Sequence, residues 1–463
     1  MNLSSSLLCV LDGRSASTKA LLVGSLLSFA MPLCLKAHVV TPKEAENIAR
    51  KYIKLPIKKA TRGVSKQSGY SQNAPYYIYN DAQNKGFVIV SGTTEMGEIL
   101  AYSNENALDT TNLHPGLAQL LNSYKMAFKA INTNNAVETE AKKGAFFAKT
   151  VAPLLKTTWS QDAPYNALLG YNYTGCVATT ISQVLKYHEW PVQGMGNVSY
   201  VNTSDNRTLS GNLNLSQYDW ANMLPNYDAP VQATQAQRNA VAKLMKDVGL
   251  ASGMQYHPGF AVATNQGAFD AFVKHFDYQA TCVYQSTEGP SVFADLLRQE
   301  HVDGFPFYFY GATKDYKGAH AWVVDGFDDK GFFHMNFGWN GQSNGYYSLS
   351  ALNLSQSGKE FNGAKLAFSR AFMAIFAHPN KTGVKRIDPS LMPERGNLSF
   401  TAEGAFARAN GVERISNRME TYPVELSYII NKGRPFKGDV GVTVIDEQNN
   451  RVATAASQWH NEG

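Results

Sequence analysis

Two residues carry the chemistry written most plainly in this chain, a cysteine opening a helical pattern and a histidine set inside a strand pattern. In Gly175-Cys176-Val177-Ala178-Thr179-Thr180-Ile181-Ser182-Gln183-Val184-Leu185-Lys186-Tyr187-His188, the residues Val177, Ile181, Val184, Leu185 and His188 recur at intervals of three and four, and Pro191 closes the run. The spacing predicts a helix with one buried face, starting at Cys176. Unpaired amides and the positive end of the helix dipole favour an anion there, so the thiol is expected to have a depressed pKa and to react as thiolate. The bland alternative is a small buried hydrophobe.

A partner stands in Gly318-Ala319-His320-Ala321-Trp322-Val323-Val324-Asp325-Gly326-Phe327, a mostly apolar strand interrupted by one imidazole. A turn at Asp328-Asp329-Lys330-Gly331 follows, then a second strand from Phe332 through His334 and Asn336 to Trp339. The hairpin is expected to bring Asn336 close to His320. An amide that holds the imidazole in one tautomer, and a Trp339 that shields the bond from water, are what a thiolate–imidazolium pair needs. Upstream, Trp159-Ser160-Gln161 and Pro164-Tyr165-Asn166 read as a loop. The Gln161 side-chain amide, with the Cys176 backbone amide, could donate to the oxyanion of a tetrahedral intermediate.

Rival chemistries fit less well. Gly341-Gln342-Ser343-Asn344-Gly345 matches the nucleophile-elbow pattern of serine hydrolases, but strand-like Tyr346-Tyr347-Ser348-Leu349 follows where a helix is required. These glycines are read instead as shaping a substrate-lining loop. His188-Glu189 is followed by Trp190-Pro191, which ends the helix before a second metal ligand could face the first, so no metal is expected. A Cys–His acyl transferase would use the same chemistry. The non-enzymatic alternative is an exported adhesin or structural protein with a Cys176–Cys282 disulfide.

The elements that must position these residues fall into parts. A chain of 463 residues suggests roughly three units, each able to bury its own core. Its 44% hydrophobic, 12% aromatic and 17% charged content is that of a folded globular protein. With a net charge of only +5 and no Lys/Arg stripe, a nucleic-acid partner is not expected. Arg14 and Lys19, an apolar run from Ala20 to Leu35, and Lys36-Ala37-His38 read as a secretory signal peptide over residues 1–37. The run is shorter than the ~20 residues of a membrane span, and stable membrane association is not expected. Its removal would take Cys9 and Cys34 away and leave Cys176 and Cys282.

Thr41 to Tyr52 has helical spacing, Tyr76 to Asn80, Gly86 to Val90 and Ile99 to Tyr102 read as strands, and Leu117 to Ile131 as an amphipathic helix. Thr133 to Lys143 is polar with no apolar period, an exposed linker and a natural proteolytic site. From about Val151 to His378 helical patterns give way to strands, which argues α+β. Asn397 to Phe406 and Val440 to Ile445 look like the start of a small β-sandwich, with too few strands before Gly463 to close one.

Taken in order, Trp159-Ser160-Gln161 to Pro164-Tyr165-Asn166, Gly175-Cys176-Val177-Ala178-Thr179 with Gln183 and Lys186-Tyr187-His188, Gly318-Ala319-His320-Ala321, and Asn336-Phe337-Gly338-Trp339-Asn340-Gly341 resemble the streptopain family of secreted bacterial cysteine peptidases. Tyr76 to Asn80 with Gly86-Phe87-Val88-Ile89-Val90-Ser91-Gly92 looks like that family's inhibitory propeptide, and the C-terminal region is similar to that of the longer, interpain-like members. The resemblance runs from about Thr41 to Phe376. It implies an α+β, papain-like two-lobed peptidase over residues 146–378, preceded by a small α+β propeptide domain over 38–145 and followed by a partial β-rich region over 379–463. It further implies Cys176 as nucleophile, His320 as general base and acid, Gln161 as oxyanion donor, Trp339 as aromatic shield, Asn336 as orienter, and Gly318, Ala319, Gly338 and Gly341 against the substrate. No cofactor is implied; the partners are protein or peptide substrates and the chain's own propeptide as inhibitor. Phe337 departs from the family, which usually has Trp there, and papain's own Cys-Gly-Ser-Cys-Trp signature is missing.

Overall fold

The structure, a computed structural model, describes residues 38–53, 61–62, 74–111, 113–133, 149–288, 290–312, 319–349, 372–388, 391, 400–402, 429–431, 442–445 and 451–455. The signal-peptide reading, residues 134–148 of the linker and most of the C-terminal β-sandwich reading lie outside these residues. Of the C-terminal region, two short antiparallel pairs are described, Phe400–Ala402 with Ile429–Asn431 and Val442–Ile445 with Arg451–Ala455.

The first part is built from α1 (Pro42–Tyr52), β1 (Tyr76–Asn80), β2 (Phe87–Ser91), β3 (Ile99–Ser103) and α2 (Pro115–Thr133). Thr41 and Glu44 form a reciprocal capping box at the start of α1. Val88, Val90 and Ile99 face the α1 side of the sheet, whereas Phe87, Ile89 and Leu100 face the α2 side. That is the two-residue alternation of a strand buried on both faces.

The second part contains α3 (Cys176–His188), α4 (Gln235–Ala251), β4 (Tyr278–Tyr284), α5 (Pro290–Val302), β5 (Phe307–Ala312), β6 (Ala319–Phe327), β7 (Phe333–Asn336), β8 (Gly345–Tyr347) and β9 (Met373–Pro379). On α3, Val177, Ala178, Ile181, Val184 and Leu185 are buried in one core with Val241, Leu244, Met245 and Val248 of α4. Full burial of each larger aliphatic side chain stabilises the packing by about 1.5–3 kcal/mol. The helix ends where Glu189 turns to φ 49°, with Lys186 and His188 in its last turn, near the negative end of the dipole.

One sheet runs through both parts. Thr61–Arg62 starts the order, followed by β1-β2-β3-β8-β7-β6-β5-β9-β4, ten strands in all and every neighbour antiparallel. The seam is β3 against β8, where Tyr102 pairs with Tyr346 and Ala101 with Tyr347. Across this seam the apolar cluster is continuous: Leu117, Leu120 and Tyr124 of α2 share it with Trp322, Met335, Phe337 and Tyr347. The first part has a core of its own on the α1 side, around Ala45, Ala49, Val88 and Val90, whereas α2 covers the strands of both parts. No helix among the described residues is long and apolar enough to cross a membrane.

Candidate active site

Cys176 opens α3 as the composition predicts. Its predecessor Gly175 has φ 87°, a left-handed backbone conformation that favours glycine before the cysteine. Cys176 is half-buried and unpaired, and Cys282 is buried on β4 and also free, so the disulfide alternative finds no support. The expected depressed pKa is not seen: burial pushes the Cys176 thiol above its ordinary value, while the backbone amides of Ala321, Val177 and Cys176 pull it the other way. Burial pushes Cys282 up further, to about 12.

His320 lies near the start of β6 and is buried. It alternates with Trp322 and Val324, which face α2 and α5, whereas Ala321 and Val323 face α3. Its Nε2 lies 3.2 Å from the Phe337 carbonyl oxygen, and among the described residues it shares no hydrogen bond with Cys176. The first turn of α2 presses on the ring: a methyl group on Gly116 would stand 2.3 Å from His320 Cδ2. Burial pushes the His320 pKa down to about 4, against the Phe337 carbonyl, which raises it. Beside it, His114 packs 4.7 Å from Phe337 and 6.2 Å from Trp339, ring centre to ring centre. Burial first, and the neighbouring His320 second, hold His114 well below the ordinary imidazole range.

Asn336 is not placed as the hairpin reading expects. In the β6–β7 register it pairs with Val323, on the α3 face of the sheet, opposite the alternation of His320. Its Nδ2 donates to the Thr157 carbonyl at 2.7 Å and its Oδ1 accepts from Gly338 N at 3.2 Å. The strand also stops at Asn336 instead of running to Trp339. The group that meets His320 is therefore a backbone carbonyl of the next residue, a partner no side-chain motif could announce.

Gln161 is buried in the loop before α3, and Thr174 N donates to its carbonyl at 2.8 Å. Its Nε2 has no hydrogen-bond partner among the described residues, and neither do Trp339 Nε1 and His114 Nε2. A buried donor or ring nitrogen without a partner calls for an occupant or a change of state. Trp339 packs against His114 and Tyr173. Gly338 (φ 73°) and Gly341 (φ 72°) abut Thr179 and Thr158 respectively, which gives each glycine a packing reason, and Ala319 is exposed. Gly318 lies outside the described residues.

Ser343, the candidate elbow nucleophile, is buried and held by the first part of the chain: its N–H donates to Asn106 Oδ1 at 3.0 Å, and Asn106 Nδ2 donates to the Asn344 carbonyl at 3.0 Å. A strand, β8, follows it. Further along the seam, Tyr102 donates to Asp328 at 2.6 Å and stacks on Tyr346. Among the described residues no cluster of three or more His, Cys, Asp or Glu side chains could hold a metal ion.

Comparison with known proteins places the chain in a family. Residues 159–347 match the Peptidase C10 family, and residues 37–128 match the Spi protease inhibitor. Streptopain of Streptococcus pyogenes serotype M1 is 32% identical over 309 residues, which cover 61% of this chain and 75% of streptopain. The chain belongs to the streptopain family, peptidase family C10. A further member-like relative, the thiol protease/hemagglutinin PrtT of Porphyromonas gingivalis, is 26% identical over 362 residues, 71% of this chain and 40% of that protein. A solved fragment of Prevotella intermedia prointerpain A matches with a TM-score of 0.55 and 28% identity, over 68% of this chain and 98% of the fragment. As a streptopain-family member the protein is a cysteine-type endopeptidase of papain-like α+β fold, in precursor form with an inhibitor-like propeptide. The residues that the sequence reading missed are in that propeptide: Asn106, His114 and Gly116. The His114-Pro115-Gly116 run at a helix start was legible as a signal for the helix, but nothing local says what the helix covers.

Proposed function

We propose that this streptopain-family chain is an exported, latent precursor in which Cys176 attacks the peptide carbonyl and His320 moves the protons. The thiolate forms the Sγ–carbon bond, and the resulting oxyanion is met by Gln161 Nε2 and the Cys176 backbone amide. Collapse expels the amine, which takes its proton from His320. Water activated by His320 then hydrolyses the acyl-enzyme and restores the thiol. Trp339 shields the imidazole, and Gly318, Ala319, Gly338 and Gly341 offer backbone to the extended substrate.

The observation that carries this reading is the seat of His320, held on the Phe337 carbonyl beneath the first turn of α2. While α2 stays docked, it covers the imidazole and closes it to substrate. A prefolded domain has already met its ordering cost, and in the same chain its effective concentration is high. Cutting between about Thr133 and Lys149 removes that advantage, so the catalytic part, residues 146–378, becomes competent. Export rests on the basic–apolar–small pattern of residues 1–37. The test is titration with a thiol-directed peptidase inhibitor. The cut protein should take up one equivalent at Cys176 and hydrolyse peptides, the uncut protein should do neither at a comparable rate, and Cys176→Ala should do neither at all. Full activity in the uncut precursor would refute the latency reading.

A further inference from the structure

Gln183 lies two turns into α3, on the same face as Cys176 and Thr179, and is completely buried. Its side chain serves two segments at once. Oε1 accepts from Thr157 Oγ1 at 2.9 Å and from Trp159 N at 3.3 Å, at the head of the loop that carries Gln161. Nε2 donates to Asn336 Oδ1 at 3.3 Å, and Asn336 Nδ2 returns to Gln183 Oε1 at 3.3 Å. The same Asn336 Oδ1 accepts from Gly338 N. That N–H belongs to the peptide unit whose other end is the Phe337 carbonyl, the acceptor for His320 Nε2. A planar peptide cannot turn one end without the other.

We propose that Gln183 is the positioning residue of this enzyme, one amide that sets the oxyanion loop with its oxygen and, through Asn336 and the Phe337–Gly338 peptide, the histidine's acceptor with its nitrogen. The inference rests on the catalytic reading of Cys176, His320 and Gln161. Its physical basis is that a buried amide has fixed donor and acceptor ends, so satisfying all four partners allows one arrangement of both segments relative to α3. A hydrophobic replacement leaves buried groups on both sides unpaired, and a displacement of ~1 Å at either side would cost up to ~10²-fold in rate.

The experiment uses the full chain after cleavage of its linker. Gln183→Met should lower kcat by about 10- to 10²-fold with KM little changed, and should shift the acid limb of the pH profile for Cys176 alkylation by iodoacetamide. Gln183→Glu keeps the acceptor and loses the donor, so it should move the same acid limb while preserving the ratio of activities with and without Gln161→Ala. Val184→Ala, next along the same helix and buried in the α4 core, serves as a control for destabilisation alone. If Gln183→Met and Val184→Ala lower activity in proportion to their loss of thermal stability and neither moves the acid limb, Gln183 is only a packing residue. Should Gln183→Met not fold, Thr157→Val removes a single donor to Gln183 and must lower kcat without moving the acid limb; a moved limb there overturns the division of labour. Hydrolysis surviving Cys176→Ala would instead bring down the catalytic reading itself, whatever Gln183 does.

Discussion

The nucleophile side and the histidine side of the site differ in what holds them. On α3, Thr179 and Gln183 are tied to the 157–161 loop, and Gln183 also to Asn336, by groups of the second part of the chain alone. His320 is instead covered by α2, and its neighbours His114 and Gly116 belong to the propeptide. One half is thus built into the peptidase, and the other is covered by the inhibitor-like segment that the proposed activation would release. Under the proposed mechanism, such a division would let latency be imposed without dismantling the oxyanion donors, since only one ring has to be covered.

The comparison is broken most completely at the nucleophile. Cys176→Ala is expected to lower peptide hydrolysis by a factor approaching ~10⁶ and to abolish self-processing, measured as turnover of the cut protein and as linker cleavage over time. Cys282→Ala, which removes an inert buried thiol, should leave kcat nearly unchanged. Next in size, Gln161→Ala should reduce kcat by roughly 10²- to 10³-fold with little change in KM, while alkylation of Cys176 proceeds at its usual rate. An unchanged kcat would move the oxyanion donor elsewhere.

On the histidine side the effects are smaller and run in the opposite direction. Gly116→Ala forces a methyl group against His320, and overpacking of that kind costs about 1–3 kcal/mol, so propeptide inhibition should weaken by roughly 10- to 10²-fold in a linker-cut complex. The smallest effect is one of pH. His114 and His320 both bind protons less readily when docked, so as pH falls from 6.5 toward about 4 the separated parts take up more protons and docking weakens. His334 acts the other way. Burial opposes its charge, but Asp325, bonded at 2.6 Å, and Glu105 of the propeptide raise its pKa, so its contribution is present at low pH and lost as pH rises through that raised value. With two groups against one, dissociation of a linker-cut Cys176→Ala complex should quicken by about 10-fold between pH 7 and pH 5, and His114→Phe should flatten that response.

What the sequence disclosed was local. The three-and-four spacing from Val177 to His188 marks α3 and places Cys176 at its first turn, and the apolar alternation around His320 marks β6, because both patterns are written within a dozen residues. The hydrogen bonds of Asn336 were not legible because proximity along a hairpin does not say which face a residue takes; that depends on its register against Val323. The seam between β3 and β8 joins residues more than two hundred positions apart and leaves no periodic trace. The raised thiol pKa was hidden for the same reason, since the burial that causes it comes from distant segments, not from the helix that carries the cysteine.

The β3–β8 pairing also bears on what happens after the cut. If the propeptide departs as proposed, two complementary strand edges would be bared, one on each fragment, with the Tyr102 and Tyr346 rings that stack across them. Edges that have just separated remain templates for one another. Severing the linker therefore does not fix the outcome; it turns a unimolecular lock into a bimolecular equilibrium that dilution opens and crowding closes again. Only destruction of the freed propeptide makes the step a ratchet, because digestion of one fragment draws the equilibrium irreversibly toward the other. The enzyme's first substrate of consequence would then be the segment it has just released.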